Sequence, residues 1–327
     1  MISRRTFLAT ASATLGAPFI APAARAQSYP SGQVRILVPF PPGGATDVLG
    51  RVVTTNLQAL WGQTVIQDYR SGAAGLIGSR QIAASPPDGA NLLLASTGAI
   101  ITLAASHNTD TYDITTELAP VSLVAAPPYL IVVNPTLEVK TTAELMAYAK
   151  AHPGELSYGS SGVGSASHLS GALFSHMAGI DILHIPYRGT GPAMTDLLGG
   201  RVQVMFSPAL TAMPHIQAGT LHVIATTGDK RVGLFPDFPT AAESGLPNYS
   251  SVGWFGLFAP AKTPREIVDK VSADTAKVLS TVEARQRMAE QGAEPEPSTP
   301  AAFTKFVNDD IAKWLDLSKK TGIKLIP

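Results

Sequence analysis

Two short stretches rich in glycine and hydroxyls carry whatever chemistry this sequence performs. The first is PFPPGGATD, residues 39–47, placed between an apolar run at Val34–Phe40 and a helical pattern at Thr46–Leu60. Pro41 and Pro42 stiffen the turn, while Gly43 and Gly44 let backbone approach a ligand closely. At the helix start the N–H groups of Gly44 to Thr46 lack intrahelical partners, and Asp47 is placed to cap them or hold water. The second is GSSGVGSAS, residues 159–167, again between a strand-like run and a helical one. Ser160, Ser161, Gly164 and Ser165 there offer hydroxyls and free amides at a helix N-terminus, which favours anions. This second stretch also approaches a dinucleotide fingerprint as Gly162-x-Gly164-x-x-Ser167, but its third glycine is missing. Asp181 precedes the next strand, whereas a ribose-binding acid belongs at that strand's end.

Other chemistries find no footing. There is no cysteine, which removes thiolate nucleophiles, thiolate zinc sites and iron–sulfur clusters. No H-E-x-x-H, P-loop or G-x-S-x-G pattern occurs. His168 and His176 lie eight apart on one predicted helix without a nearby third ligand. They read as a helix-start polar contact and a half-buried packing residue, so no metal and no cofactor is expected.

The loops need elements to hold them. Further short apolar runs at Thr64–Tyr69, Asn91–Ser96, Leu130–Val133, Leu156–Gly159, Ile182–Tyr187, Val202–Phe206 and Leu221–Thr226 read as strands. Helical patterns at Leu76–Ala84, Thr142–Ala151, Ala166–Ala178, Pro192–Leu198 and Leu210–Ala218 alternate with them, and the carboxyl end from Pro264 onward reads as helical. Such alternation predicts an α/β fold of mostly parallel sheets with helices on both faces. Thr141 with Glu144 forms a capping box, and Gly62 sits where a left-handed C-cap belongs. Proline-rich segments at Ala125–Tyr129 and Pro247–Ser251 read as two crossings of a hinge. The first lobe then combines residues 28–127 with 252–327, and the second is the insert 128–251.

The amino terminus reads as a targeting segment. Arg4 and Arg5 precede an apolar stretch from Phe7 to Ile20, and Ala24-Arg25-Ala26 is an A-x-A cleavage site. Paired arginines point to twin-arginine export. Removing residues 1–26 takes away Arg4, Arg5 and Arg25 and no acid, leaving 21 basic against 24 acidic side chains. A mildly acidic mature chain offers no electrostatic footprint for nucleic acid. No later segment has the length and apolarity of a membrane span, so no membrane insertion follows processing.

At this point several long blocks taken together resemble one family. PFPPGGATD, RSGAAGLIG (70–78), LAPVSL (118–123), LSYGSSGVGSASHL (156–169), HIPYRGTGPAMTDLLGG (184–200), WFGLFAP (254–260) and QGAEPEPSTP (291–300) are similar, in order, to blocks of the substrate-binding receptors of tripartite tricarboxylate transporters, the Bug receptors. The resemblance implies a two-lobed Venus-flytrap fold, a periplasmic location, a small carboxylate ligand between the lobes and membrane permease subunits as partners. It implies no catalysis. It carries a carboxylate-cradling role to Phe40, Pro42, Gly43, Gly44, Thr46 and Asp47, and a second contact of that lobe to Ser96 and Thr97. From the second lobe it brings Ser160, Ser161 and Ser165, with Tyr187 and Gly189 nearby. The sequence departs from the common pattern at Ser71, Leu76, Gly98 and Ser207. Ser207 ends a predicted strand and should lie near the cleft, where an aspartate would pair with a ligand ammonium and a serine does not. A di- or tricarboxylate or an aromatic acid is therefore expected over an α-amino acid. Two alternatives stand beside this reading: a receptor presenting its ligand to a sensor kinase, and an exported hydrolase, for which no activated nucleophile is found.

The leader reading has a direct consequence. Intact-mass measurement of the exported protein should place its first residue at Gln27, and Arg4→Lys with Arg5→Lys should block export. Exported protein still carrying residues 1–26 would overturn the assignment.

Overall fold

The computed structural model describes residues 29–107 and 112–326. The leader reading falls on residues outside these. The chain first lays down β1 (Val34–Val38), α1 (Ala45–Trp61), β2 (Val65–Tyr69), α2 (Leu76–Ala83), β3 (Asn91–Ser96), α3 (Thr97–Ala105) and β4 (Leu118–Ala125). A second block follows: β5 (Tyr129–Val133), α4 (Thr142–Ala151), β6 (Ser157–Ser160), α5 (Ala166–Ala178), β7 (Leu183–Pro186), α6 (Thr190–Leu198), β8 (Val204–Pro208), α7 (Ala209–Gln217) and β9 (His222–Thr226). The chain then returns for β10 (Phe255–Pro260), α8 (Arg265–Leu279), α9 (Val282–Glu290) and α10 (Pro300–Thr321).

Two five-stranded sheets result, ordered β2-β1-β3-β10-β4 and β7-β6-β8-β5-β9. The α/β two-lobed architecture is the expected one, but each sheet is mixed. β1 runs parallel to β2 and β3, and β6 parallel to β7 and β8. β10 is antiparallel to β3 and β4, and β5 is antiparallel to β8 and β9. The reason is connectivity. β5 and β10 are the strands entered straight from the other sheet, without the crossover helix that returns a chain parallel to its predecessor.

Local signals explain most boundaries. Gly62 closes α1 in the left-handed conformation (φ 63°). The Thr141 hydroxyl accepts from the Glu144 N–H at 3.1 Å, but the Glu144 carboxylate reaches one residue further back than expected, to the Lys140 N–H at 2.6 Å. α3, β4 and β10 are the elements the sequence patterns do not announce. α3 carries Gly98 and the β-branched run Ile100-Ile101-Thr102, poor helix formers on propensity alone. It is a helix because all its residues through Ala104 are buried, so tertiary packing overrides propensity. β4 contains Pro120, which the register accommodates with an irregularity opposite Leu257 and Phe258.

One apolar core runs from Leu37, Ile100 and Leu103 through Val133, Tyr158 and Phe206, and so reaches both sheets. The two crossings lie side by side: Ala125 pairs with Phe255, and the Tyr129 ring lies so close to Gly253 that no Cβ fits there. The return strand is pinned by Thr97. Its hydroxyl accepts from the Trp254 N–H at 2.7 Å, and its own N–H donates to the Trp254 carbonyl at 2.9 Å. Thr97 is 1% exposed, so Thr97→Val strands a buried donor. Denaturant unfolding should show a loss of about 1–3 kcal/mol; unchanged stability would remove Thr97 as the pin.

Candidate binding site between the lobes

The first turn of α1 is the natural starting point. Its ladder begins with the Asp47 and Val48 N–H groups donating to the Gly44 carbonyl at 3.0 and 3.1 Å, which leaves the Ala45 and Thr46 amides as orphan donors. Gly44, Ala45 and Thr46 line a cavity of about 20 Å³ between the two sheets. Ser96, the N-cap of α3, also lines it, as do Ala166 and Thr190, the first residues of α5 and α6, and Pro208, the N-cap of α7. Five helix N-termini therefore converge on one small space. Each presents the positive end of its peptide dipoles, and no charged side chain is among the lining.

Asp47 holds the first loop from behind. Its carboxylate accepts from the Gly43 N–H (2.8 Å), Arg51 (2.6 and 3.0 Å), Gln67 (3.0 Å) and the Tyr69 hydroxyl (2.7 Å). Burial alone would raise its pKa, but the Arg51, Gly43 and Tyr69 bonds outweigh burial and hold it below the ordinary value. The acid thus stays ionised while its charge is answered away from the cavity.

The second-lobe loop is tied by hydroxyls and neutral imidazoles. Ser165 Oγ caps α5, accepting from the His168 N–H at 3.3 Å and donating to the Gly162 carbonyl at 2.6 Å. Ser167 Oγ accepts from the Ser161 N–H at 3.0 Å. Ser160 Oγ meets His184 Nε2 at 2.6 Å, and His168 Nδ1 accepts from the Gly164 N–H at 3.0 Å. The two imidazoles lie tilted by 33° against each other, with centroids 4.2 Å apart. Burial lowers His168 to about 4, and burial together with His168 lowers His184 to about 3.

Of the residues singled out in the sequence, Phe40, Gly44, Thr46, Ser96 and Ser161 line the cavity. Pro42, Gly43, Asp47, Ser160 and Ser165 belong to the same two loops but are not part of its lining. Thr97 is engaged with Trp254, and the Tyr187 hydroxyl donates to Asp196 at 2.7 Å. Gly189 is the N-cap of α6. Ser207 is fully buried, and its hydroxyl donates to the Pro208 carbonyl at 3.1 Å; Pro208 lines the cavity in its place. Tyr129, Thr190, Pro208 and Phe255 line it without having been singled out. Thr190, a hydroxyl between Gly189 and the helical pattern at Pro192–Leu198, carried a usable signal; the others did not. The constraint on Gly44 is one of space. Its φ is −100°, so glycine is required by proximity: a Cβ there would sit 2.5 Å from Thr190 Oγ1 of the other lobe. The left-handed residue of the loop is Gly43, at φ 90°.

Residues 49–323 match the protein family described as "Tripartite tricarboxylate transporter family receptor". Protein BugT of Bordetella pertussis is 37% identical over 307 residues, 94% of each chain. Among solved structures, R. palustris Rpa4515 with adipate superposes with a TM-score of 0.85 at 35% identity. The match covers 90% of this chain and 99% of that one. MatC from Rhodopseudomonas palustris with bound malate gives 0.83 at 30% identity, covering 88% and 99%.

The imidazole pair makes the second loop sensitive to acid. A histidine whose folded pKa lies below its unfolded 6.5 takes up its proton on unfolding, so stability is full above about pH 6.5 and falls towards pH 4. His168→Gln keeps an acceptor for Gly164 that does not titrate. Its stability should decline less over pH 6.5 to 4, by up to one proton's worth, about 1.4 kcal/mol per pH unit. Parallel stability–pH curves for wild type and variant would contradict this.

Proposed function

The chain belongs to the tripartite tricarboxylate transporter receptor family, and from that premise we propose that it captures a small carboxylate between its lobes in the periplasm and delivers it to membrane permease subunits. It binds and does not transform: the cavity brings together backbone amides and hydroxyls but no activated nucleophile. The observation that carries the reading is the convergence of five helix N-termini on a cavity whose lining holds no acid. Such a site answers negative charge with fixed dipoles and offers nothing to an ammonium group. Relatives with adipate and with malate bound support a dicarboxylate in particular. We therefore assign a di- or tricarboxylate, or an aromatic acid, ahead of an α-amino acid.

Capture requires movement. A cavity of about 20 Å³ has room for about one water, far short of an organic acid, so the lobes must part to admit one. Residues 28–127 with 252–327 form the moving unit opposite 128–251, and the paired crossings near Ala126 and Val252 serve as the hinge. Ligand then shifts an open form towards a closed one.

Calorimetric titration tests the assignment. Succinate, malate, adipate, citrate or benzoate should bind, and more tightly than aspartate or glutamate. Gly44→Val, which forces a side chain against Thr190, should weaken the best ligand at least about tenfold. Tighter binding of the amino acids, or unaltered affinity in a folded Gly44→Val variant, would sink the reading.

A further inference from the structure

Beside the small cavity lies a larger one. It measures about 210 Å³ and shares Phe40 and Ser161 with the first. On the first-lobe side its wall is the turn from Gly72 to Gly75, and on the other side Gly162, Val163 and Pro186 to Arg188. That turn is unusual: four consecutive residues have positive φ, Gly72 at 143°, Ala73 at 46°, Ala74 at 52° and Gly75 at 100°. Two successive alanines in the left-handed region are a strained arrangement of the kind that persists where surrounding structure over-determines it, often at ligand sites. Gly75 is locked there, since a Cβ would meet Ala99 at 2.6 Å and the Phe40 ring at 3.3 Å. The strained turn thus also backs the Phe40 ring that both cavities share.

Charge separates the two spaces. Arg188 is the single charged residue in the lining of either cavity. Among the described residues it takes part in no ion pair, whereas its neighbour Tyr187 is bonded to Asp196, itself paired with Arg201 at 2.6 Å. The family-derived selection of Tyr187 and Gly189 passes over this residue between them. A whole, unpaired positive charge therefore faces one end of the inter-lobe space, and helix dipoles occupy the other.

We propose that the larger chamber is a distal subsite for a second anionic group on the ligand, with Arg188 as its counter-charge. This deepens the carboxylate reading above and rests on it. One carboxylate meets the amide ends of the helices, an apolar spacer passes Phe40, and the second anionic group meets the guanidinium, which suits a planar carboxylate through paired N–H donors. The chamber narrows that assignment to acids with two or more charged groups and ranks an acid with one charged end, benzoate included, below them.

Titrating unbranched diacids of four to eight carbons and monoacids of the same lengths into wild type, Arg188→Gln and Arg188→Lys tests this. Arg188 is exposed, so both variants should melt like wild type. Wild type should prefer the best diacid to its monoacid counterpart, and Arg188→Gln should lose about tenfold or more on that diacid while leaving monoacids unchanged. Arg188→Lys should fall between, keeping the charge and losing the fork. A diacid preference that survives Arg188→Gln, or equal binding of diacids and monoacids by wild type, would overturn the subsite while leaving carboxylate capture standing. Wild type that binds no carboxylate of either kind would instead bring down the functional reading, and the subsite with it.

Discussion

Backbone N–H groups in the first turn of a helix have no partner inside that helix. Here five first turns face one cleft, and most of the local architecture follows from keeping their donors usable. The loop before α1 must bring backbone rather than side chains forward, which is why glycines stand where the lobes nearly touch. Asp47 is needed to hold Gly43 in place, yet a bare carboxylate at that position would repel an anion. Arg51, Gln67 and Tyr69 answer its charge on the side away from the cavity. In the second lobe, hydroxyls and unprotonated imidazoles do the same work without any formal charge.

The topology supplies this convergence. In βα units the helix N-termini sit at the carboxyl ends of the strands, and a ligand crevice forms there. Two sheets facing each other across a shared core double the number of such ends. The chain passes between the sheets twice, and each passage delivers a strand, β5 or β10, that runs against its neighbours. Pairing of Ala125 with Phe255 keeps the two passages adjacent. Glycines stand at two of the lobes' close approaches: besides Gly44 against Thr190, a Cβ on Gly98 would lie 2.5 Å from Ser165 Cα.

Much of this was readable from residue types and spacing because the forces involved are local. Apolar periodicity, the Gly62 stop and the Thr141 cap act within one turn of chain, and they place α1, α4 and α5 within a residue of their observed ends. The two loops were recognisable for the same reason, since a glycine-rich turn ahead of a helix exposes amides whatever surrounds it. What the tertiary structure alone decided is everything whose partner lies far along the chain. α3 is helical through burial against its propensity, and the direction of β5 and β10 depends on the opposite sheet. Thr97 answers Trp254, 157 residues away, and Ser207 yields the cavity wall to Pro208 through its own backbone bond. Arg188 shares a cavity with Gly72 to Gly75, more than a hundred residues earlier, only in the folded chain. Such contacts join surfaces that meet only after both lobes have folded, so no local pattern encodes them.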